Sequence, residues 1–238
     1  MNGSYTDVLD SMVGDVNGDK IADYVYLIGT RQQDTMFVQN ITLLIQDQTT
    51  GTIVSIPLNE DAGYQPTLFL GDFTGNGIND ILISIATGGS GGTYYYYIYT
   101  YELNQVQLIF DSEQYNKNYR YDVIYQNDYK VLVISNRNQM RYLIDLSLRD
   151  PEYLDEIYDE DGKLRGPIEG WVDPISGLYP FDYNLDKTLE LMAYQKISGK
   201  YHADTLGYIQ NTLKWGEDQF RLERQFLAIH GAMGLYDS

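Results

Sequence analysis

Three short stretches of the chain carry acidic and amide side chains at alternate positions, a spacing suited to holding a hard cation. In "GDVNGDKIADYVYL" the alternate residues are Asp15, Asn17, Asp19, Ile21 and Asp23. In "GDFTGNGINDILIS" they are Asp72, Thr74, Asn76, Ile78 and Asp80. In "FDYNLDKTLELMAY" they are Asp182, Asn184, Asp186, Thr188 and Glu190. The first, third, fifth and ninth positions bear side-chain oxygens, and the seventh can offer its backbone carbonyl. Calcium takes roughly six to eight such oxygens in adaptable geometry. Gly18, Gly75 and Gly77 let the backbone wrap tightly enough for the side chains to converge. One such loop alone reads equally well as an Asx-turn network without metal. Repetition favours calcium, in the first two loops and in the looser third. An EF-hand is excluded, because its closing glutamate is replaced by Tyr26, Ile83 or Ala193 and β-like sequence follows.

The elements that must position these loops repeat with them. Asp72 lies 57 residues beyond Asp15, and Asp182 lies 110 beyond Asp72, about two further periods. A degenerate copy, "YDVIYQNDYKVLVISN", fills the gap with Asp122, Ile124, Gln126, Asp128 and Lys130 at the aligned positions. An ammonium at the ninth position stands where a ligand belongs, so no calcium is expected there. Each loop follows a short strand-like piece and precedes an apolar one ("YVYLIG", "ILISIA", "VLVIS", "LELMAY"). Two further β segments around a turn complete each unit. In the third unit "EIYDEDGKLRGPIEGWV" fills that role.

Four units of about 57 residues, 4–63, 64–116, 117–174 and 175–238, account for nearly the whole chain. Units of about four short strands bury their faces only against one another. The expectation is a single all-β domain over 1–238, a four-bladed β-propeller. The long period disfavours a β-solenoid, and the even spacing disfavours two sandwiches. One segment departs: "RDPEYLDEIYDEDG", 149–162, predicts a short helical insertion in the third unit, with Asp150 as N-cap and Pro151 at the first helical position.

On the loops "GDVNGDKIADYVYL" and "GDFTGNGINDILIS" and their placement between strands, the sequence resembles the FG-GAP or VCBS-type repeat of integrin-α-like propellers. The Asp182 copy departs from that pattern, with Leu185 where glycine is usual and Glu190 closing the loop. The resemblance implies structural calcium and an extracytoplasmic binding or adhesion module, extracellular or at the cell surface, with a protein or glycan partner. Two other classes compete with it. One is a polysaccharide-active enzyme with its site on one face of the propeller. The other is a structural component of a surface assembly.

Composition narrows the field. With 34 acidic against 16 basic residues the formal charge is −18, unsuited to nucleic acid or to anionic membrane surfaces. There is no cysteine, hence no disulfide, thiolate metal site or cysteine nucleophile. No apolar run reaches the roughly 18 residues of a membrane span. "MNGSYTDVLDSM" lacks a basic n-region and an apolar h-region, so an exported protein would already have lost its leader. The 24 tyrosines fit half-buried strands. In "TYYYYIYTYE" one alternating set, Tyr94, Tyr96 and Ile98 or Tyr95, Tyr97 and Tyr99, is expected in the core and the other half-exposed. Gly88, Ser90 and Gly92 spell a formal G-x-S-x-G, but a strand follows where a nucleophile elbow needs a helix. His202 and His230, the two histidines, give little material for a triad or a histidine metal site. No catalytic residue is assigned.

Overall fold

The computed structural model describes residues 4–32, 35–89 and 91–231. The β reading of the sequence holds: two antiparallel sheets dominate, and helices are few. Strands β1 (Ser4–Gly14), β2 (Asp23–Gln32), β3 (Phe37–Gln46) and β4 (Ile53–Pro57) form a first meander. A second comprises β5 (Gly63–Gly71), β6 (Asp80–Ala86), β7 (Tyr94–Glu102) and β8 (Gln105–Asp111). Two residue pairs, Phe37–Tyr64 and Val38–Gly63, join them into one sheet. After helix α1 (Ser112–Asn118), the third meander has only three strands, β9 (Tyr121–Gln126), β10 (Lys130–Ser135) and β11 (Arg141–Asp145). Helix α2 (Pro151–Asp155) follows, and then β12 (Glu169–Phe181), β13 (Glu190–Ser198), β14 (Thr205–Gly216) and β15 (Gln219–Ala228). The pairs Glu169–Ile124 and Gly170–Val123 tie these two meanders into the second sheet.

Two expectations for the third unit change. Its strand after β10 is Arg141–Asp145, and the expected hairpin over 156–172 reduces to one bridge, Tyr158–Leu164, before β12 begins. The helical insertion is present with Pro151 at its start, but Asp150 makes no side-chain cap hydrogen bond. Helix α1 lies outside the sequence expectations. It starts because Asp111 turns out of β8 and its carboxylate accepts from the Glu113 N–H at 2.8 Å. Of the formal G-x-S-x-G, Ser90 lies outside the described residues, and the strand that follows is β7.

Three hydrophobic clusters set the packing order. Val25 and Leu27 on β2, with Leu43 and Ile45 on β3, face Ile81, Ile83, Tyr97 and Tyr99, so the first meander packs on the second. Leu82, Tyr96, Ile98 and Phe110 face Ile175, Leu178, Leu191 and Leu213, so the second meander packs on the fourth. Val123, Val131 and Val133 face Ile197, Leu206 and Ile209, so the fourth packs on the third. The meanders therefore stack in the order first, second, fourth, third. A ring of four consecutive blades is not what this packing gives. Among the described residues no hydrophobic cluster joins the first meander to the third.

This order explains the tyrosine strand. A meander in the middle of the stack is covered on both faces, so both alternating sets of β7 are drawn inward. Tyr97 and Tyr99 enter one core, and Tyr96 and Ile98 enter the next. The expected half-exposed set is therefore buried from Tyr96 to Tyr99. Strand β10, in the outermost meander, keeps the strict alternation of a one-sided strand. No helix of the described residues is long and apolar enough to cross a membrane.

Candidate functional site

The three acidic loops share one backbone path. Their fourth positions, Gly18, Gly75 and Leu185, have φ of 86°, 78° and 61°. Their sixth positions, Lys20, Gly77 and Lys187, have φ of 70°, 81° and 74°. This left-handed pair turns the chain so that the first aspartate collects backbone N–H groups. Asp15 accepts from Gly18 and Lys20 at 2.7 and 2.9 Å, and Asp72 from Gly75 and Gly77 at 2.6 and 2.8 Å. Asp182 accepts from Asp186 and Lys187 at 3.1 and 2.9 Å. The acid at the ninth position, first residue of the following strand, turns back to the second position. Asp23 accepts from Val16 N–H, Asp80 from Phe73 N–H and Glu190 from Tyr183 N–H.

The loops also touch one another. The backbone and side-chain amides of Asn79 in the second loop donate to the Asp15 carbonyl at 3.1 and 3.0 Å. The backbone N–H of Leu189 in the third donates to the Asp72 carbonyl at 2.7 Å. In each case the eighth residue of one loop reaches the first residue of the loop before it, so the three lie side by side along one edge of the stack. The degenerate copy does not join them. There a short left-handed turn through Asp128 and Tyr129 links β9 directly to β10, and Asp122 and Ile124 lie within β9.

Within each loop the oxygens are engaged mainly by the backbone. Asn17, Asp19 and Asn76 each accept from the N–H two residues on, as does Asp186. The Asp19 carboxylate turns outward to the Thr49 hydroxyl. Among the described residues no three acidic or histidine side chains gather into a metal-binding group. The side chains of Ile21 and Ile78 take no part in these hydrogen bonds, and Ile21 is exposed. The hydroxyl of Thr74, at the third position of the second loop, is buried and makes no well-formed hydrogen bond.

What most separates the loops is the residue opposite the ninth position on the neighbouring strand. Lys214 stands opposite Glu190, one register step beyond the Leu191–Leu213 pair. Its Nζ lies 3.0 Å from Glu190 Oε1 and 3.9 Å from Asp186 Oδ2. The same step places Asp47 opposite Asp23 and Thr100 opposite Asp80. In the third meander the signs are exchanged, with Lys130 paired to Asp145. Two units thus supply their own ammonium, and two hold a buried carboxylate without one. Burial pushes Asp80 up to about 7, despite the N–H groups of Phe73 and Thr74. Burial also raises Asp23, with the charges of Asp47 and Asp19 adding to it. Asp47 is held below the usual range by the Thr50 N–H and hydroxyl. Sequence reasoning singled out the fifteen loop positions but not Asp47 or Lys214, whose relevance comes only from strand register.

A Bacillus subtilis protein, YybI, is 45% identical over 225 residues, which cover 94% of this chain and 86% of that one. The chain belongs to the YybI family. The model of the YybI C-terminal domain matches residues 119–228, close to the limits of the second sheet, whose strands run from Tyr121 to Ala228. This corrects the resemblance drawn from the loops: no FG-GAP or VCBS family model matches, and membership lies with YybI. The reason is the brevity of the motif. Nine residues of alternating Asp and Asn specify a turn geometry, which unrelated chains reach independently, whereas the match to YybI extends over nearly the whole chain. No solved structure matches the chain significantly.

Proposed function

We propose that the protein is a calcium-stabilised, non-catalytic binding module. Its body is the all-β stack of four meanders in the order first, second, fourth, third. Calcium occupies the loops at Asp15 and Asp72, with mixed carboxylate, amide, hydroxyl and carbonyl oxygens as ligands. The third loop, at Asp182, is served by Lys214 in place of a metal. The observation that carries this reading is the Asp23–Asp47 pair: two buried carboxylates, opposite in register, with no lysine or arginine ion-paired to either among the described residues. Buried charge is tolerated when it is paired or coordinated. A cation in the first loop would relieve the repulsion, and one in the second would return Asp80 to its ionised form. The buried, unpartnered hydroxyl of Thr74 supports the same reading.

Loops of this kind suit calcium at about 0.1–1 mM, the range of extracellular modules, which fits a protein working outside the cytoplasm. A protein or glycan is the partner class that a −18 chain of this architecture fits better than nucleic acid. Thermal melting with calcium and with chelator tests the metal reading. A site with a Kd of about 0.1 mM contributes roughly 1.4 kcal/mol at about 1 mM calcium, so two sites raise the melting temperature by about 5–10 °C. Identical melting curves in calcium and in chelator would overturn it.

A further inference from the structure

The stack of meanders has two ends, and their outward faces differ in charge. Across the first meander, the ladders from β1 to β4 set one outward row, Val13–Tyr24–Gln46–Ile53. Tyr26 and Leu44 stand opposite each other in the next row, and the rings of Tyr24 and Tyr26 stack at 6.1 Å. Val13 is 59% exposed, Ile53 63% and Tyr24 39%, so these side chains face solvent. No described position of this face, from Thr6 on β1 to Pro57 on β4, carries a charge. At the other end, the outward face of the third meander carries Asp122, Lys130, Arg141 and Asp145 in the rows either side of Leu143. A solvated sheet face is ordinarily polar, and an exposed apolar one marks an interaction site.

We propose that the outward face of the first meander is a self-association surface, on which a second copy of this chain packs face to face about a two-fold axis. Copies of a chain with a net charge of −18 repel wherever their acidic surfaces meet, so close approach needs a patch free of charge. This face is such a patch. The opposite side of the same strands already packs sheet on sheet against the second meander. Head-to-tail contact with the third meander would instead bury four charges against a face that offers them no partner. The same-face pair is therefore favoured over an open chain of copies. Four strands at about 4.8 Å spacing, with about 24 Å of shared length, project roughly 450 Å². Side-chain relief brings this toward the roughly 600 Å² per partner of the smaller stable interfaces, which fits a reversible dimer. None of the fifteen loop positions lies in this face, so the contact does not depend on calcium.

Sedimentation equilibrium of the full chain from about 1 to about 500 µM, in calcium and in chelator, tests the proposal. Wild type should pass reversibly from the mass of one chain to that of two, and no further, in both conditions. Val13→Lys with Ile53→Lys should weaken the dimer at least about tenfold, although two lysines lower the overall repulsion of an acidic chain. Leu143→Lys, at a 60% exposed site on the third meander, makes the same kind of change and should leave the dimer intact. All three sites are exposed, so melting temperatures at about 1 µM should match wild type. Hydrogen exchange on wild type at the two ends of the concentration range gives a readout that needs no variant. Slowing confined to β1–β4 is expected, and slowing in β9–β11 instead would contradict it. A wild type that stays a single chain throughout, or grows beyond two chains, overturns the proposal. So does a dimer that survives the paired lysines. None of these results bears on the calcium reading, whose readout is the shift in melting temperature.

Discussion

Lys214 reaches across the β13–β14 ladder to Glu190, its Nζ 3.0 Å from a carboxylate that is 1% exposed. The equivalent cross-strand positions hold Asp23 and Asp47 in the first meander, and Asp80 and Thr100 in the second. A single register relationship therefore sorts the loops into those that carry a tethered cation and those that do not. The hydrogen bond from Lys214 also keeps that lysine charged, since Glu190 raises its pKa.

Removing the tethered cation should expose this dependence. Lys214→Met leaves Glu190 buried and uncompensated, at a cost of about 2 kcal/mol, less than for a fully buried pair because the lysine is partly exposed. Calcium should restore part of the loss, since the emptied position resembles those in the first two loops. Thermal melting of the variant with and without calcium measures both effects. A variant as stable as wild type in chelator would show that the ion pair contributes nothing.

Asp80 gives a pH signature. Its folded pKa, about 7, lies above the ordinary 3.8, so the folded state favours the protonated carboxyl. The stabilisation is complete below about pH 4 and is lost as pH rises through about 7. In chelator, wild type should therefore lose stability relative to Asp80→Asn between those limits. In calcium the order reverses near neutrality, because the ionised carboxylate gains a cation. Urea unfolding across pH 5 to 8 checks the sign, and a difference between the proteins that does not vary with pH would contradict it.

Leu185 occupies a left-handed position, with φ of 61°, where the other two loops place glycine. Its side chain is 86% exposed, so substitution removes little packing. Leu185→Gly should stabilise the protein by up to about 1 kcal/mol, and Gly75→Ala should destabilise it by a similar amount. Chemical denaturation of both variants tests the shared backbone path. Opposite signs are expected, and equal losses would argue against it.

Asn211 on β14 ties helix α1 and the start of β9 to the fourth meander. Its amide nitrogen donates to the Tyr115 and Tyr121 hydroxyls at 2.7 and 2.9 Å, and its oxygen accepts from Gln225 at 2.8 Å. Asn211→Leu strands the buried Tyr115 hydroxyl, while Tyr121 and Gln225 keep the 3.1 Å hydrogen bond between them, and should cost about 1–3 kcal/mol in urea unfolding. A loss below about 0.5 kcal/mol would show that water replaces the amide without penalty.

The local vocabulary of the fold was legible in the sequence. The loops begin strands where expected, with β2, β6 and β13 starting at Asp23, Asp80 and Glu190. Pro151 marked α2 because a proline at the first helical turn loses no hydrogen bond. The stacking order was not legible, because alternation tells which face is apolar but not which meander covers it. Tyr96 and Tyr97 point to opposite faces and are both buried, a fact set by two different neighbours. Lys214 and Asp47 were hidden for a similar reason: each is 24 residues from the acid it faces.

The central claim is that two loops take calcium and the third is filled by Lys214. Isothermal calorimetry on chelator-stripped protein measures this as a stoichiometry. Two calcium ions should bind per wild-type chain, with Asp15→Ala and Asp72→Ala each removing one and Asp182→Ala removing none. No binding heat, or a stoichiometry that Asp15→Ala and Asp72→Ala leave unchanged, would contradict the account.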